Sequence, residues 1–191
     1  MMQGDTAAPV SALHGLVWTA LMAALLGVGA FLHIPFPPVP FTMQTFFVLL
    51  AGFLLGPANG ALAVVLYLAA GIAGLPVFSG GKAGIFHVLG PTGGFLLGFL
   101  ICAVLCGMAS HRRRGRPRST PGWIWQYFWG LAGLLALFST GIIWLKLWLG
   151  ENASLAESAL SMLPFFGIDC AKLGAVVPAY RFLLRLGLAP R

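Results

Sequence analysis

Hydrophobic residues in this chain run in long unbroken blocks rather than in strict alternation. The blocks fall at about 13–33, 41–56, 59–75, 91–109, 122–149 and 159–187. Continuous apolar runs of this length predict helices that cross a bilayer, which needs about 20 residues per span. A membrane barrel would instead alternate apolar and polar positions, so strands are not expected. The block at 41–56 is short for a span and reads as re-entrant or tilted, whereas the last two are long enough to tilt. The pattern predicts an all-α polytopic membrane protein with about six transmembrane helices.

Composition sharpens this picture. Of 191 residues, 59% are hydrophobic and 8% are charged, where a soluble domain carries about 25% charged residues. Residues 1–191 are expected to form a single integral membrane domain, with a short N-terminal tail at about 1–12 and a basic loop at about 109–120. Met1 to Pro9 carry no basic leader region, so the first block is expected to stay as a span.

The formal net charge of +7 does not point to nucleic acid. Five of the eleven Lys and Arg residues lie at 112–118, beside a predicted span, where basic residues determine topology by remaining on the cytoplasmic side. Arg181, Arg185 and Arg191 close the last block, two crossings later, and therefore lie on the same side. Six crossings then place both termini in the cytoplasm of a bacterial or archaeal plasma membrane. The opposite face receives the connections 33–41, 75–90 and 150–158, the first two rich in Pro, Gly and aromatic residues. The inner connection, Gly56 to Gly60, is minimal. Long loops on a compact protein carry function, so the outer face is expected to capture something.

Charge inside the apolar blocks marks the candidate chemistry. Asp169 and Lys172 lie in the last block, three residues apart, and share one face of a helix. Each costs about 2.5–3.5 kcal/mol to insert mid-span, so such groups are read as functional by default. An internal ion pair that merely offsets two burial costs is the plain alternative. Apolar residues would fill both positions at lower cost, which favours a ligand role. The carboxylate accepts from N–H groups and the ammonium donates to a carbonyl, so together they suit a cyclic urea or similar amide.

Other motifs have plainer readings. Gly80-Gly81-Lys82 is not a phosphate-binding loop, because Ala83 follows where Ser or Thr is required. In Gly90-Pro-Thr-Gly-Gly94, Pro91 suits a first helical position, and Gly94 with Gly98 allows close helix packing. Thr92 and the free N–H groups there also suit a ligand. Lys82 and His87 are either solvated or positioned to neutralise a carboxylate, and Lys146 is expected to snorkel to the headgroups. Ala20 and Ala24, with Gly27 at similar spacing, form a smooth stripe that fits internal packing and subunit docking equally. Cys102, Cys106 and Cys170 lie in apolar segments without zinc-ligand spacing, and read as small buried hydrophobes.

Four stretches carry a family resemblance: Pro38 to Thr45 (PVPFTMQT), Leu66 through Phe78, Gly90 to Gly94, and Pro164 to Lys172 (PFFGIDCAK). With these, the chain from about Ala20 to Arg185 resembles the BioY family, the substrate-binding membrane components (S components) of energy-coupling-factor (ECF) biotin transporters. The family's last motif reads Pro-Gly-Asp-x-x-Lys, and this chain has Gly167-Ile168 before the acid. The resemblance implies an S-component bundle of six helices with an outward site capped by the first and third loops. It implies tight capture of biotin as the transported ligand, with no cofactor, metal or catalytic residue. Asp169 and Lys172 would then hold the ureido ring, Tyr67 and Phe78 the sulfur ring and valeryl chain, and Thr92, Lys82 or His87 the carboxylate.

The resemblance also implies a transmembrane coupling subunit docking at Ala20 and Ala24, and two cytoplasmic ATPase subunits. The absence of any nucleotide motif agrees with that division of labour. Rival readings are an S component for another vitamin, a membrane-embedded enzyme using Asp169 or Lys172, and a proton-coupled carrier. The second has no further intramembrane catalytic cluster and the third no visible inverted repeat.

Overall fold

The computed structural model describes residues 7–37, 39–110, 122–150 and 154–187. Helix α1 spans Ala7–Phe31, α2 Gln44–Ile72, α4 Gly93–Met108, α5 Trp123–Leu149 and α6 Leu155–Arg185. A four-residue helix, α3 (Ile85–Val88), lies in the loop before α4. The chain is helical from Ala7, and the apolar stretch long enough to span begins at Leu13. The basic run at 112–118 and Arg191 lie outside the described residues.

The predicted blocks 41–56 and 59–75 form one element with a sharp reversal. Gly56 adopts φ 81°, ψ 177°, a conformation that suits a residue without Cβ. Pro57 then restarts the helix where its missing N–H costs nothing. The arms 44–55 and 57–72 run back along each other: Gln44 Nε2 donates to Tyr67 Oη at 2.6 Å, although a straight helix would separate residues 23 apart by about 35 Å. A Cβ on Gly60 would sit 3.0 Å from the Gly52 Cα, which fixes how closely the arms approach. Counting both arms, six apolar limbs make up the bundle, as predicted.

Around the bundle α4 lies between α2 and α5, α1 packs on α2, and α6 closes against α5 and α2. Small residues permit these approaches. A Cβ on Gly98 would meet the Leu137 Cα at 2.9 Å, and one on Gly94 would overlap Trp144, so this predicted stripe does bring α4 onto α5. Outward faces carry Leu16, Val65, Leu97, Leu135 and Ile143, all exposed, as befits helices solvated by lipid. Within, Leu26, Leu49, Phe53, Leu134 and Val176 are fully buried.

Helix α6 begins earlier than the predicted block because Ser154 and Glu157 form a reciprocal cap. Ser154 Oγ accepts from the Glu157 N–H at 3.1 Å, and Glu157 Oε2 accepts from the Ser154 N–H at 2.7 Å. The helix then runs unbroken through Pro164, Gly167 and Pro178.

Two loops cover the end of the bundle that holds the site. The first contains a two-residue antiparallel ribbon, β1 (His33–Ile34) with β2 (Phe41–Thr42), registered as His33↔Thr42 and Ile34↔Phe41. No strand was expected; Pro35, Pro37 and Pro40 cannot sustain a helix between them, and the flanking residues pair instead. In the third loop the Phe78 N–H donates to the Lys82 carbonyl at 3.0 Å. Gly80 (φ 75°) and Gly81 (φ 71°) make the turn between them, the left-handed pair of a tight hairpin. The glycines beside Lys82 are thus turn residues.

Candidate functional site

Asp169 and Lys172 project from the middle of α6 into the bundle. Lys172 Nζ lies 2.6 Å from Asp169 Oδ1 and also donates to the Thr42 carbonyl at 2.6 Å. Asp169 is 6% exposed, and the Thr45 side chain also faces its carboxylate. The i, i+3 spacing therefore pairs the two charges as predicted. Gly167 before the acid faces open space and leaves the helix continuous.

The pair lines a cavity enclosing about 60 Å³. Of the predicted residues, Tyr67, His87, Thr92, Asp169 and Lys172 meet there. Phe78 does not line it: fully buried, its ring stands edge-on to Tyr67 (centroids 5.6 Å) and stacks on His87 (4.9 Å). It supports the wall from behind. Lys82 is exposed and belongs to an adjoining vestibule of about 440 Å³, with Phe86, Gly90 and Pro91. Ser79, His87 and Thr92 border both spaces.

Several lining residues went unpredicted. Gln44 and Thr45 open the first arm of α2 and Ser79 comes from the third loop. Gln44 and Thr45 are polar residues heading an apolar block, whereas nothing in its Gly-rich loop distinguishes Ser79. Aromatic walls come from Phe95, Phe99, Phe138 and Phe165, which sequence alone does not separate from core. Phe41 stacks on Phe165 (3.7 Å, 5°), with Phe36 edge-on to both at 5.8 Å. This clasp holds the first loop against α6.

Two cavity hydroxyls, Ser79 Oγ and Thr92 Oγ1, are buried without a hydrogen-bond partner among the described residues. Buried polar atoms are nearly always paired, so unpaired hydroxyls on a cavity wall mark positions for ligand groups. Thr92 is the N-cap residue of α4 yet makes no side-chain cap; Pro91 precedes the cap rather than opening the helix. Burial, and secondarily the Lys82 charge, holds the His87 imidazole below its ordinary pKa and so favours the neutral form. The site thus offers a carboxylate and ammonium on one side, uncharged donors and acceptors on the others, and apolar rings between.

Away from the cavity, Lys146 donates to the Gly150 carbonyl at 2.6 Å and so caps α5. Ala20 and Ala24 are exposed, whereas Gly27 is buried and a Cβ placed on it would lie 3.7 Å from the Val77 side chain. The two alanines are therefore not used for internal packing.

Comparison with known proteins agrees with this architecture. The BioY family model matches residues 3–187. The probable biotin transporter BioY of Pyrococcus horikoshii is 39% identical over 158 residues, covering 83% of this chain and 88% of its own length. The biotin transporter BioY of Thermotoga maritima is 35% identical over 161 residues, covering 84% and 90%. Among solved structures, the S-component for biotin from an ECF-type ABC transporter superposes with a TM-score of 0.80 at 30% identity, covering 98% of this chain and 100% of that one. With the family model spanning nearly its whole length, the chain belongs to the BioY family.

Proposed function

We propose that this protein is the biotin-binding membrane component of an ECF-type uptake transporter and has no catalytic activity of its own. The observation that carries the reading is the Asp169–Lys172 pair facing a covered, aromatic-walled cavity. A ureido ring presents N–H donors beside a carbonyl acceptor; Asp169 takes the former and Lys172 supplies a donor to the latter. Gln44 and Tyr67 complete that polar side, and the phenylalanines take the sulfur ring and valeryl chain. The carboxylate lies toward the vestibule, where Ser79, Thr92 and His87 are nearest and Lys82 stands further out.

The covered end faces outward, and the basic run at 112–118 with the C-terminal arginines lies in the cytoplasm. Both termini are then cytoplasmic, in a bacterial or archaeal plasma membrane. The exposed Ala20–Ala24 face docks a transmembrane coupling subunit, which two cytoplasmic ATPases drive. Lacking a nucleotide motif, the chain captures and its partners supply energy.

The test is titration of the purified protein with biotin, with thiamine and riboflavin as controls. Saturable binding of biotin alone is expected. Binding of a control vitamin in its place, or of none, rejects the assignment.

A further inference from the structure

At the bundle end opposite the cavity, a groove of about 290 Å³ runs between the first turns of α5 and the last turns of α6. Trp123 and Tyr127 line it from α5, and Pro178, Arg181, Phe182 and Arg185 from α6. The captured ligand and its pair play no part here. Arg181 and Arg185 stand one helical turn apart, so both heads reach the same groove. Arg181 is positioned rather than loose: its guanidinium donates to Gln126 Oε1 at 3.1 Å, and Gln126 is completely buried.

Among the described residues that line it, the groove carries two cations and no acidic side chain. The first turn of α5 carries no acidic residue and no side-chain cap, so its unpaired N–H groups add the positive end of a helix dipole. Among the described residues Arg185 has no carboxylate within ion-pair distance. Trp123, 59% exposed, sits edge-on to Tyr127 at 6.2 Å, the amphipathic ring pairing found at membrane interfaces. Phe182 is likewise exposed and offers an apolar surface beside the charges.

We infer that this groove binds the phosphodiester headgroup of an anionic phospholipid from the leaflet at this end. Arg181 and Arg185 hold the phosphate, while Phe182 and Pro178 lie along the start of the acyl chains. Basic pockets between transmembrane helices hold acidic headgroups in this way. The groove presents no carboxylate among its lining residues to receive a choline or ethanolamine ammonium, so it selects lipids of net negative charge.

Native mass spectrometry of the full chain, purified with equimolar phosphatidylglycerol and phosphatidylcholine, tests this. The parent is expected to retain phosphatidylglycerol preferentially. Arg185→Gln is expected to lower that retention about fivefold with biotin binding unchanged; Arg185 is exposed, so the variant folds. Arg185→Lys, which keeps the charge, retains most of the lipid. Equal retention of the two lipids, or undiminished retention in Arg185→Gln, overturns the proposal. Displacement of the lipid by excess inorganic phosphate overturns it too, because the groove would then be a free-anion site.

Discussion

Lys172 joins the acid of the site to the loop that covers it: one ammonium donates to Asp169 Oδ1 and to the Thr42 carbonyl, each at 2.6 Å. Removing either charge leaves the other buried without its counterpart, and truncating one partner of such a pair costs about 2–5 kcal/mol in binding. Asp169→Asn is therefore expected to weaken biotin binding about 30-fold or more, measured by calorimetry on the purified protein. Affinity within threefold of the parent would show that the ureido ring sits elsewhere.

The unpaired hydroxyls separate binding from stability. Ser79 Oγ and Thr92 Oγ1 give up no bond among the described residues when removed. Ser79→Ala and Thr92→Val should melt with the parent yet bind biotin about fivefold more weakly each, the value of one hydrogen bond near 1 kcal/mol. Tyr67→Phe behaves differently. It strips the partner from the buried Gln44 amide, so stability and binding free energy should each fall by about 1–3 kcal/mol, the first read as a lower melting temperature. A Ser79→Ala variant with full affinity would remove that residue from the site.

Acidification acts through His87. Burial first, and Lys82 second, favour its neutral form in the folded protein. Its folded pKa lies below that of the unfolded chain, about 6.5, so protons bind the unfolded state more readily. The His87 contribution to stability is fully present above that value and is lost as pH falls through the folded one. Melting temperatures taken between pH 8 and 5 should decline on the acid side, and less steeply in His87→Gln. Identical slopes would mean that other groups set the pH response.

The exposed alanines predict a defect visible only in the assembled transporter. Ala20→Phe and Ala24→Phe project bulk from a face that packs on nothing within the described chain, so biotin binding by the isolated protein should be unchanged. Uptake by cells that also contain the coupling module should drop to about a tenth, about 1.4 kcal/mol of lost association. Normal uptake in both variants would place the docking surface elsewhere.

Legibility from sequence followed how conspicuous each residue is against an apolar background. Asp169 and Lys172 stand out because charge in a span is costly, and their spacing already implied a shared face. Six limbs were readable from block lengths, with Gly56-Pro57 announcing the reversal inside α2. The reciprocal cap at Ser154 and Glu157 also has a sequence signature, Ser followed three residues later by Glu before an apolar run. Phe78 stands behind the cavity wall rather than on it, and an aromatic residue in a loop gives no sign of its facing. Ser79 and Gln44 depend on long-range packing: the first comes from a loop folded over the site, the second from an arm aligned by a distant tyrosine. The ribbon at 33–42 arises from pairing across a proline-rich bend, which no periodicity records.

The Phe41–Phe165 stack sits one residue from Thr42 in the chain and one turn from Asp169 on α6. Peeling back the first loop therefore breaks the ring contact and the Lys172 tether in a single event. On the proposed reading, a ligand held beneath the loop would leave only when both contacts part together, so its residence time would follow the rate of loop opening rather than the loosening of any one contact.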